Sequence, residues 1–150
     1  MNNNLIKSLD ALLEGDNFEI SILANTSAFI NDNFKNLNWV GFYLLKDNTL
    51  YLGPFQGRVA CTTIPVGKGV CGTSILKDES IIVPDVDKFP GHIVCDSASK
   101  SEIVIPIKVN NKQYGVLDID SPTKDRFSFN DKVILEALVN VLEKHLNKLL

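Results

Sequence analysis

Residues 102–120, EIVIPIKVNNKQYGVLDID, decide the fold because they are typical of two β-strands joined by a turn. The pattern predicts strands over residues 102–109 and 114–120, with the turn in the asparagine-containing segment 110–113. Side chains alternate between the two faces of a strand. The apolar side chains of both strands therefore share one face, and the acidic side chains share the other.

Burying the apolar side chains together restricts the register of this pair. A three-residue loop, 110–112, sets Ile103 opposite Ile119 and Glu102 opposite Asp120, whereas a two-residue loop would set Ile103 against Asp118. We therefore predict an odd-length loop and a cluster of three carboxylates, Glu102, Asp118 and Asp120, on one sheet face.

Three carboxylates in a partly dry site would raise the pKa of at least one of them, so that it keeps a proton near neutral pH. Such a group can act as a general acid or donate a hydrogen bond to a polar substrate. The alternative is that this face points at water, the commoner environment for charged side chains on a strand.

The remaining pattern predicts helices at both ends and short strands between them, which is an α+β domain with an antiparallel sheet and both terminal helices on one face. Leucines at helical spacing predict the first helix, and Asn130 and Asp131 are start signals for the last. A strand over residues 60–64 would carry Cys61. Residues 67–76 predict a glycine-rich turn entering a short helix, and residues 85–100 a long loop.

The 150 residues, 45% hydrophobic with a formal net charge of -3, fit one domain over residues 1–150. No apolar run approaches the ~20 residues of a membrane span, and the start of the chain does not resemble a signal peptide. The excess of acidic residues makes nucleic acid an unexpected partner. We expect a cytoplasmic protein.

Residues 39–43 place Trp39, Gly41 and Tyr43 on one strand face. Two aromatic rings flanking a glycine would form a shallow slot for an apolar or sulfur-bearing group. The alternative is ordinary packing of the tryptophan beneath a helix.

The chain has three cysteines, Cys61, Cys71 and Cys95. No Cys-x-x-Cys motif occurs, and a zinc site formed by the cysteines with His92 has little support from the spacing. Cys95 lies in a polar loop, and Cys71 lies where a helix begins, a position that lowers the pKa of a thiol. Each cysteine could equally be a small core residue, and His92 and His145 fit surface positions.

Six motifs, in the same order along the chain, closely resemble the GAF-domain free methionine-(R)-sulfoxide reductases. They are residues 38–44 (NWVGFYL), 53–57 (GPFQG), 67–72 (GKGVCG), 90–93 (PGHI), 101–106 (SEIVIP) and 115–121 (GVLDIDS). The resemblance implies a single GAF domain, with a loop-covered pocket on the sheet face opposite the terminal helices.

The resemblance also implies a reaction. Cys95 would attack the sulfoxide sulfur of free methionine-(R)-sulfoxide, and Cys61, or Cys71 in its place, would resolve the resulting sulfenic acid as a disulfide. Thioredoxin would reduce that disulfide as an external reductant, with no bound cofactor or metal. Glu102, Asp118 and Asp120 would hold and protonate the sulfoxide oxygen, and Trp39 and Tyr43 would surround the methyl group and the sulfur.

Two other functions stay open at this point: a GAF module that binds a small molecule without turnover, and a thiol redox sensor. A sensor module is usually fused to an output domain, for which 150 residues leave no room. A homodimer is possible, and the leucine stripe of the last helix could serve either a dimer or the core.

Overall fold

The computed structural model describes residues 2–93, 95 and 97–150. Within them the helices and strands follow in this order: α1 (Asn2–Leu13), α2 (Glu19–Asn33), β1 (Trp39–Lys46), β2 (Thr49–Gly57), β3 (Thr63–Pro65), α3 (Gly69–Lys77), β4 (Ile81–Val83), β5 (Ser101–Val109), β6 (Lys112–Ser121) and α4 (Phe129–Leu149). A single 3-10 turn, Val86–Lys88, follows β4. No helix of this described part is long and apolar enough to cross a membrane.

The six strands form one antiparallel sheet in the order β3-β2-β1-β6-β5-β4. Helices α1, α2 and α4 pack on one face, over a core that includes the inward side chains of β1, β5 and β6. Helix α3 packs on the other face, over a second core that includes Val104 and Val116. The predicted α+β fold, with the terminal helices together on one side, is confirmed.

The predicted register of the β5–β6 pair is confirmed, because Ile103 lies opposite Ile119 and Glu102 opposite Asp120. The predicted three-residue loop is wrong. The strands are joined by the two-residue turn Asn110-Asn111, whose residues have φ values of 53° and 64°. An irregularity next to Tyr114 adds one residue to β6 and restores the register that buries the isoleucines.

The predicted strand over residues 60–64 is also wrong at its start. Only Thr63–Pro65 forms a strand, so Cys61 lies in the loop between β2 and β3. The reason is that backbone carbonyls of this loop accept hydrogen bonds from side chains of β1 instead of from a neighbouring strand. The indole of Trp39 donates a hydrogen bond to the Arg58 carbonyl, and the Tyr43 hydroxyl donates one to the Cys61 carbonyl.

Helix α4 begins at Phe129, one residue before the predicted start signals, because Ser128 caps it. The Ser128 hydroxyl accepts a hydrogen bond from the backbone N–H of Asp131, whose carboxylate accepts one from the N–H of Ser128. The leucine stripe of α4 is buried in the larger core, including Leu135, Leu138, Leu142 and Leu146.

Candidate functional site

A cavity of about 40 Å³ lies on the sheet face that carries α3. It is lined by residues of β1, β5 and β6, by the start of α3, and by residues of the β2–β3 loop and of the segment between β4 and β5. The polar residues that line the cavity are Cys71, His92, Cys95, Ser99, Glu102, Asp118 and Asp120. Its other lining residues are Trp39, Tyr43, Ala60, Ile64, Gly69, Val70 and Ile93.

The three predicted carboxylates lie together at this cavity because the β5–β6 register brings them to one face. Glu102 and Asp118 are each only 6% exposed, and Asp120 is partly buried. The interpretation that this face points at water is therefore wrong. Among the described residues, Oδ1 of Asp118 has no hydrogen-bond partner, although it is buried.

Burial sets the electrostatics of this acidic cluster. Loss of solvent is the main cause that raises the pKa of Glu102 well above its ordinary value, and the charges of Asp118 and Asp120 raise it further. Burial also raises the pKa of Asp118, while hydrogen bonding with Glu102 and Cys71 lowers it in part. The pair therefore retains a proton at a pH where exposed carboxyls have lost theirs.

Two aromatic side chains of β1, Trp39 and Tyr43, form the cavity's apolar wall and are each 2% exposed. Their rings are stacked with centroids 5.8 Å apart, and Trp39 is also stacked on Phe55 at 5.1 Å. The space above Gly41 is not an open slot, because a Cβ there would lie 2.7 Å from the indole of Trp39. Gly41 instead lets the indole lie close against the sheet.

The same aromatic side chains hold the loop that carries Cys61. The indole N–H of Trp39 lies 3.1 Å from the Arg58 carbonyl oxygen, and the Tyr43 hydroxyl lies 2.9 Å from the Cys61 carbonyl oxygen. Burial, with the nearby charge of Asp118, raises the pKa of Tyr43 far above its usual range, so its hydroxyl stays a neutral donor.

A disulfide joins Cys61 to Cys95, whose Cα atoms are 5.4 Å apart. It links the β2–β3 loop to the segment between β4 and β5. Both residues are partly buried, so the disulfide stands at the edge of the cavity rather than in a core. Two of the three predicted thiols are thus paired with each other.

Cys71 is the remaining thiol, and it is buried in the first turn of α3. The expectation that the helix start would favour its thiolate is wrong. Burial, followed by the charges of Asp118 and Glu102, raises the pKa of Cys71 well above its ordinary value. The loss of solvent and two neighbouring acids outweigh the helix dipole.

Two cavity residues, His92 and Ser99, were not assigned a role from the sequence. Nε2 of His92 lies 3.9 Å from Oε1 of Glu102, and the Ser99 hydroxyl accepts a hydrogen bond from the Asn38 amide at 3.1 Å. The motif PGHI at 90–93 was the available signal for His92, which is a cavity residue rather than a surface one. His145 is not a surface residue either, because it is 4% exposed and bonds to Asp10 at 2.7 Å.

The described residues also bring possible metal ligands together. The Cys71 thiol and the Glu102 and Asp118 carboxylates place three ligand atoms within 4.8 Å of one another at the cavity. Asp10, Glu14 and His145 form a second such group between α1 and α4. A site built from all three cysteines does not form in this state, because Cys61 and Cys95 are bonded to each other.

Comparison with known proteins matches residues 19–146 to the GAF domain family. The chain is 50% identical over 141 residues to the free methionine-R-sulfoxide reductase of Escherichia coli K12, an alignment that covers 94% of this chain and 86% of that protein.

Two solved structures with bound substrate are also similar. The fRMsr of Staphylococcus aureus in complex with substrate superposes with a TM-score of 0.92 at 53% identity, covering 97% of this chain and 95% of that one. The free methionine-R-sulfoxide reductase of Neisseria meningitidis, in complex with its substrate, gives a TM-score of 0.94 at 38% identity, covering 99% and 89%.

Proposed function

Because the chain belongs to the GAF-domain family of free methionine-R-sulfoxide reductases, we propose that it reduces free L-methionine-(R)-sulfoxide to L-methionine. The observation that carries this proposal is the Cys61–Cys95 disulfide at the edge of a cavity that contains two buried carboxylates. A pair of thiols supplies two electrons, and a protonated carboxyl supplies the proton that the sulfoxide oxygen needs.

Cys95 is the nucleophile in this proposal. Once the disulfide is reduced, the thiolate of Cys95 attacks the sulfoxide sulfur, and the oxygen passes from that sulfur to Cys95. The products are methionine and the sulfenic acid of Cys95. The methionine sulfur gains two electrons and the cysteine sulfur loses two, so the step needs no bound cofactor.

The acidic cluster supplies the proton. Glu102 is buried beside Asp118 and keeps its proton because of its raised pKa, so it can donate to the sulfoxide oxygen as negative charge develops there. Asp118 and Asp120, which as carboxylates only accept hydrogen bonds, would bind the ammonium group of the free amino acid. Trp39 and Tyr43 would surround the methyl group and the sulfur.

Cys61 is the resolving thiol in this proposal. Its thiol condenses with the sulfenic acid of Cys95 to form the disulfide and one molecule of water. The observed pairing supports Cys61 over Cys71, whose thiol is buried and has a raised pKa. Thioredoxin then returns both cysteines to thiols by disulfide exchange, a cycle that suits the reducing cytoplasm.

The cavity favours a free amino acid as substrate. Its cover consists of the loop after β2 and the segment between β4 and β5, which the disulfide ties together. A peptide chain continuing on both sides of methionine sulfoxide would have to pass through this cover. Protein-bound methionine sulfoxide is therefore excluded in our proposal.

The test is turnover of the pre-reduced protein with free methionine-(R)-sulfoxide, thioredoxin, thioredoxin reductase and NADPH. We expect NADPH oxidation with the R epimer, and none with a methionine sulfoxide blocked at its amino and carboxyl groups. Cys95→Ser should abolish turnover, while Cys61→Ser should release about one methionine per protein and then stall with thioredoxin. A Cys95→Ser variant as fast as the parent would refute the mechanism.

A thiol redox sensor gives a different result in the same assay. Peroxide would form the Cys61–Cys95 disulfide stoichiometrically whether the protein is a sensor or a reductase. Free methionine-(R)-sulfoxide would form it only if the protein is a reductase. Mass spectrometry of the alkylated protein after each oxidant distinguishes the two functions.

A further inference from the structure

One thiol of the cavity has no part in the proposed reaction. Cys71 lies against Glu102 and Asp118, and one ligand atom from each lies within 4.8 Å of the others. All three side chains are buried, and all three line the cavity. Cys61 and Cys95 account for the proposed redox chemistry, so that chemistry does not explain why the Cys71 sulfur lies beside two carboxylates.

A second observation points to a missing ligand at this place. The Asp118 side chain is 6% exposed, and its Oδ1 has no hydrogen-bond partner among the described residues. A buried carboxylate oxygen without a donor or cation is costly. During turnover the ammonium group of the substrate would supply this partner, and in the absence of substrate a cation bound between the three side chains would supply it.

The chemistry of the donors selects the cation. Calcium and magnesium prefer oxygen ligands alone and take six or more of them. Zinc takes four ligands and accepts cysteine sulfur together with carboxylate oxygen.

We propose that this cavity binds one zinc ion through the Cys71 sulfur and the Glu102 and Asp118 carboxylates, with water in the fourth position. The bound ion occupies the place of the acidic proton donor. Zinc is therefore an inhibitor of turnover, a consequence that rests on the proposed reductase function, although the binding itself does not.

The disulfide provides a way to test this site apart from the redox thiols. Cys61 and Cys95 are bonded to each other, so in the oxidised protein Cys71 is the one thiol that can ligate. Cobalt(II) is the spectroscopic probe for zinc because a cobalt–thiolate bond gives a near-ultraviolet charge-transfer band. We expect the oxidised protein to give this band, and zinc to remove it with a stoichiometry of one.

The variants decide which side chains bind the ion. Cys71→Ser should eliminate the charge-transfer band and weaken zinc binding by about tenfold or more, and Asp118→Asn should weaken it similarly while the band shifts. The matched control is Asp10→Asn, which alters the second ligand group between α1 and α4 and should leave the zinc affinity unchanged. Thermal unfolding of each variant checks that it is folded.

Three results would overturn the proposal. They are absence of the cobalt band in the oxidised parent, a band that persists in Cys71→Ser, and loss of zinc binding in Asp10→Asn. Zinc inhibition of turnover is measured separately. A protein that binds zinc but has no reductase activity would contradict the proposed function while supporting this site.

Discussion

Glu102 shows how one buried carboxyl couples function to stability. Burial, together with the charges of Asp118 and Asp120, raises its pKa in the folded protein, whereas in the unfolded chain it ionises near its ordinary value. Between these two pKa values the folded protein keeps a proton that the unfolded chain has lost. The free energy of unfolding therefore falls as the pH rises through this interval.

Glu102→Gln is expected to flatten that dependence, because glutamine has no proton to lose. The variant should be more stable than the parent above neutral pH, by a few degrees in Tm at roughly 3 °C per kcal/mol, while its turnover is strongly reduced. Thermal unfolding from pH 5 to pH 9 measures the effect, with the exposed Glu79→Gln as a control that keeps the parent's slope. Parallel curves for Glu102→Gln and the parent would contradict the buried-acid interpretation.

Gly41 has no room for a side chain, because the side chains of two neighbouring aromatic residues lie against it. An alanine Cβ at this position would lie 2.7 Å from the indole of Trp39 and would also clash with Phe55. We expect Gly41→Ala to lower stability by about 1–3 kcal/mol and to raise KM, because the indole must leave the cavity wall. Gly53→Ala, where the nearest atom lies at 3.2 Å, should cost less. Equal losses in the two variants would show that the indole contact is unimportant.

Residue patterns predicted which side chains share a face, but not what covers them. Period-two alternation and burial of the isoleucines were enough to bring Glu102, Asp118 and Asp120 together. The direction of the Cys71 pKa was missed because it depends first on burial of the thiol and then on two acids from strands more than thirty residues away. His145 was missed because its partner, Asp10, comes from the opposite end of the chain.

At the scale of elements, the β5–β6 hairpin shows that burial of apolar side chains, rather than turn length, sets the register. The loop length was predicted wrongly because it was derived from the isoleucine register on the assumption of a regular ladder with no irregularity between the turn and Ile107. The structure keeps the apolar register, closes with Asn110-Asn111, and accommodates the extra residue next to Tyr114. Burial of several isoleucines outweighs the regularity of one ladder position, so the register could be predicted and the loop could not.

The turn residues give the prediction at this scale. Asn110 and Asn111 both have positive φ, which asparagine and glycine tolerate and β-branched residues do not. Asn111→Val is expected to lower stability by about 1–2 kcal/mol, whereas Asn111→Gly should be close to neutral. Because the isoleucines set the register, backbone NMR of Asn111→Val should still show Ile103 opposite Ile119. A shifted pairing would mean that the turn controls the register.

At the scale of the whole molecule, the sheet separates two tasks. The terminal helices and the larger core stabilise one face, and the other face holds the cavity under two loops that the Cys61–Cys95 disulfide joins. Apolar periodicity predicted the face that carries the terminal helices, and the family resemblance implied a pocket on the opposite face. The sequence could not predict how the loops close, since Trp39 and Tyr43 hold the Cys61 loop by side-chain hydrogen bonds to backbone carbonyls.

This arrangement makes the cover, rather than the scaffold, sensitive to redox state. The disulfide closes a loop with a sequence separation of 34 residues, and a cross-link of that span stabilises a folded chain by about 3–4 kcal/mol. Reduction should therefore lower Tm by roughly 10 °C. Hydrogen exchange should rise in residues 58–62, 86–93 and 97–100 more than in β5 or α4, because reduction removes the bond between the two covering segments and leaves both cores intact. In a Cys61→Ser variant, reductant should change neither Tm nor hydrogen exchange. A uniform rise in exchange over the whole parent protein would mean that the disulfide supports the scaffold instead of closing the cavity.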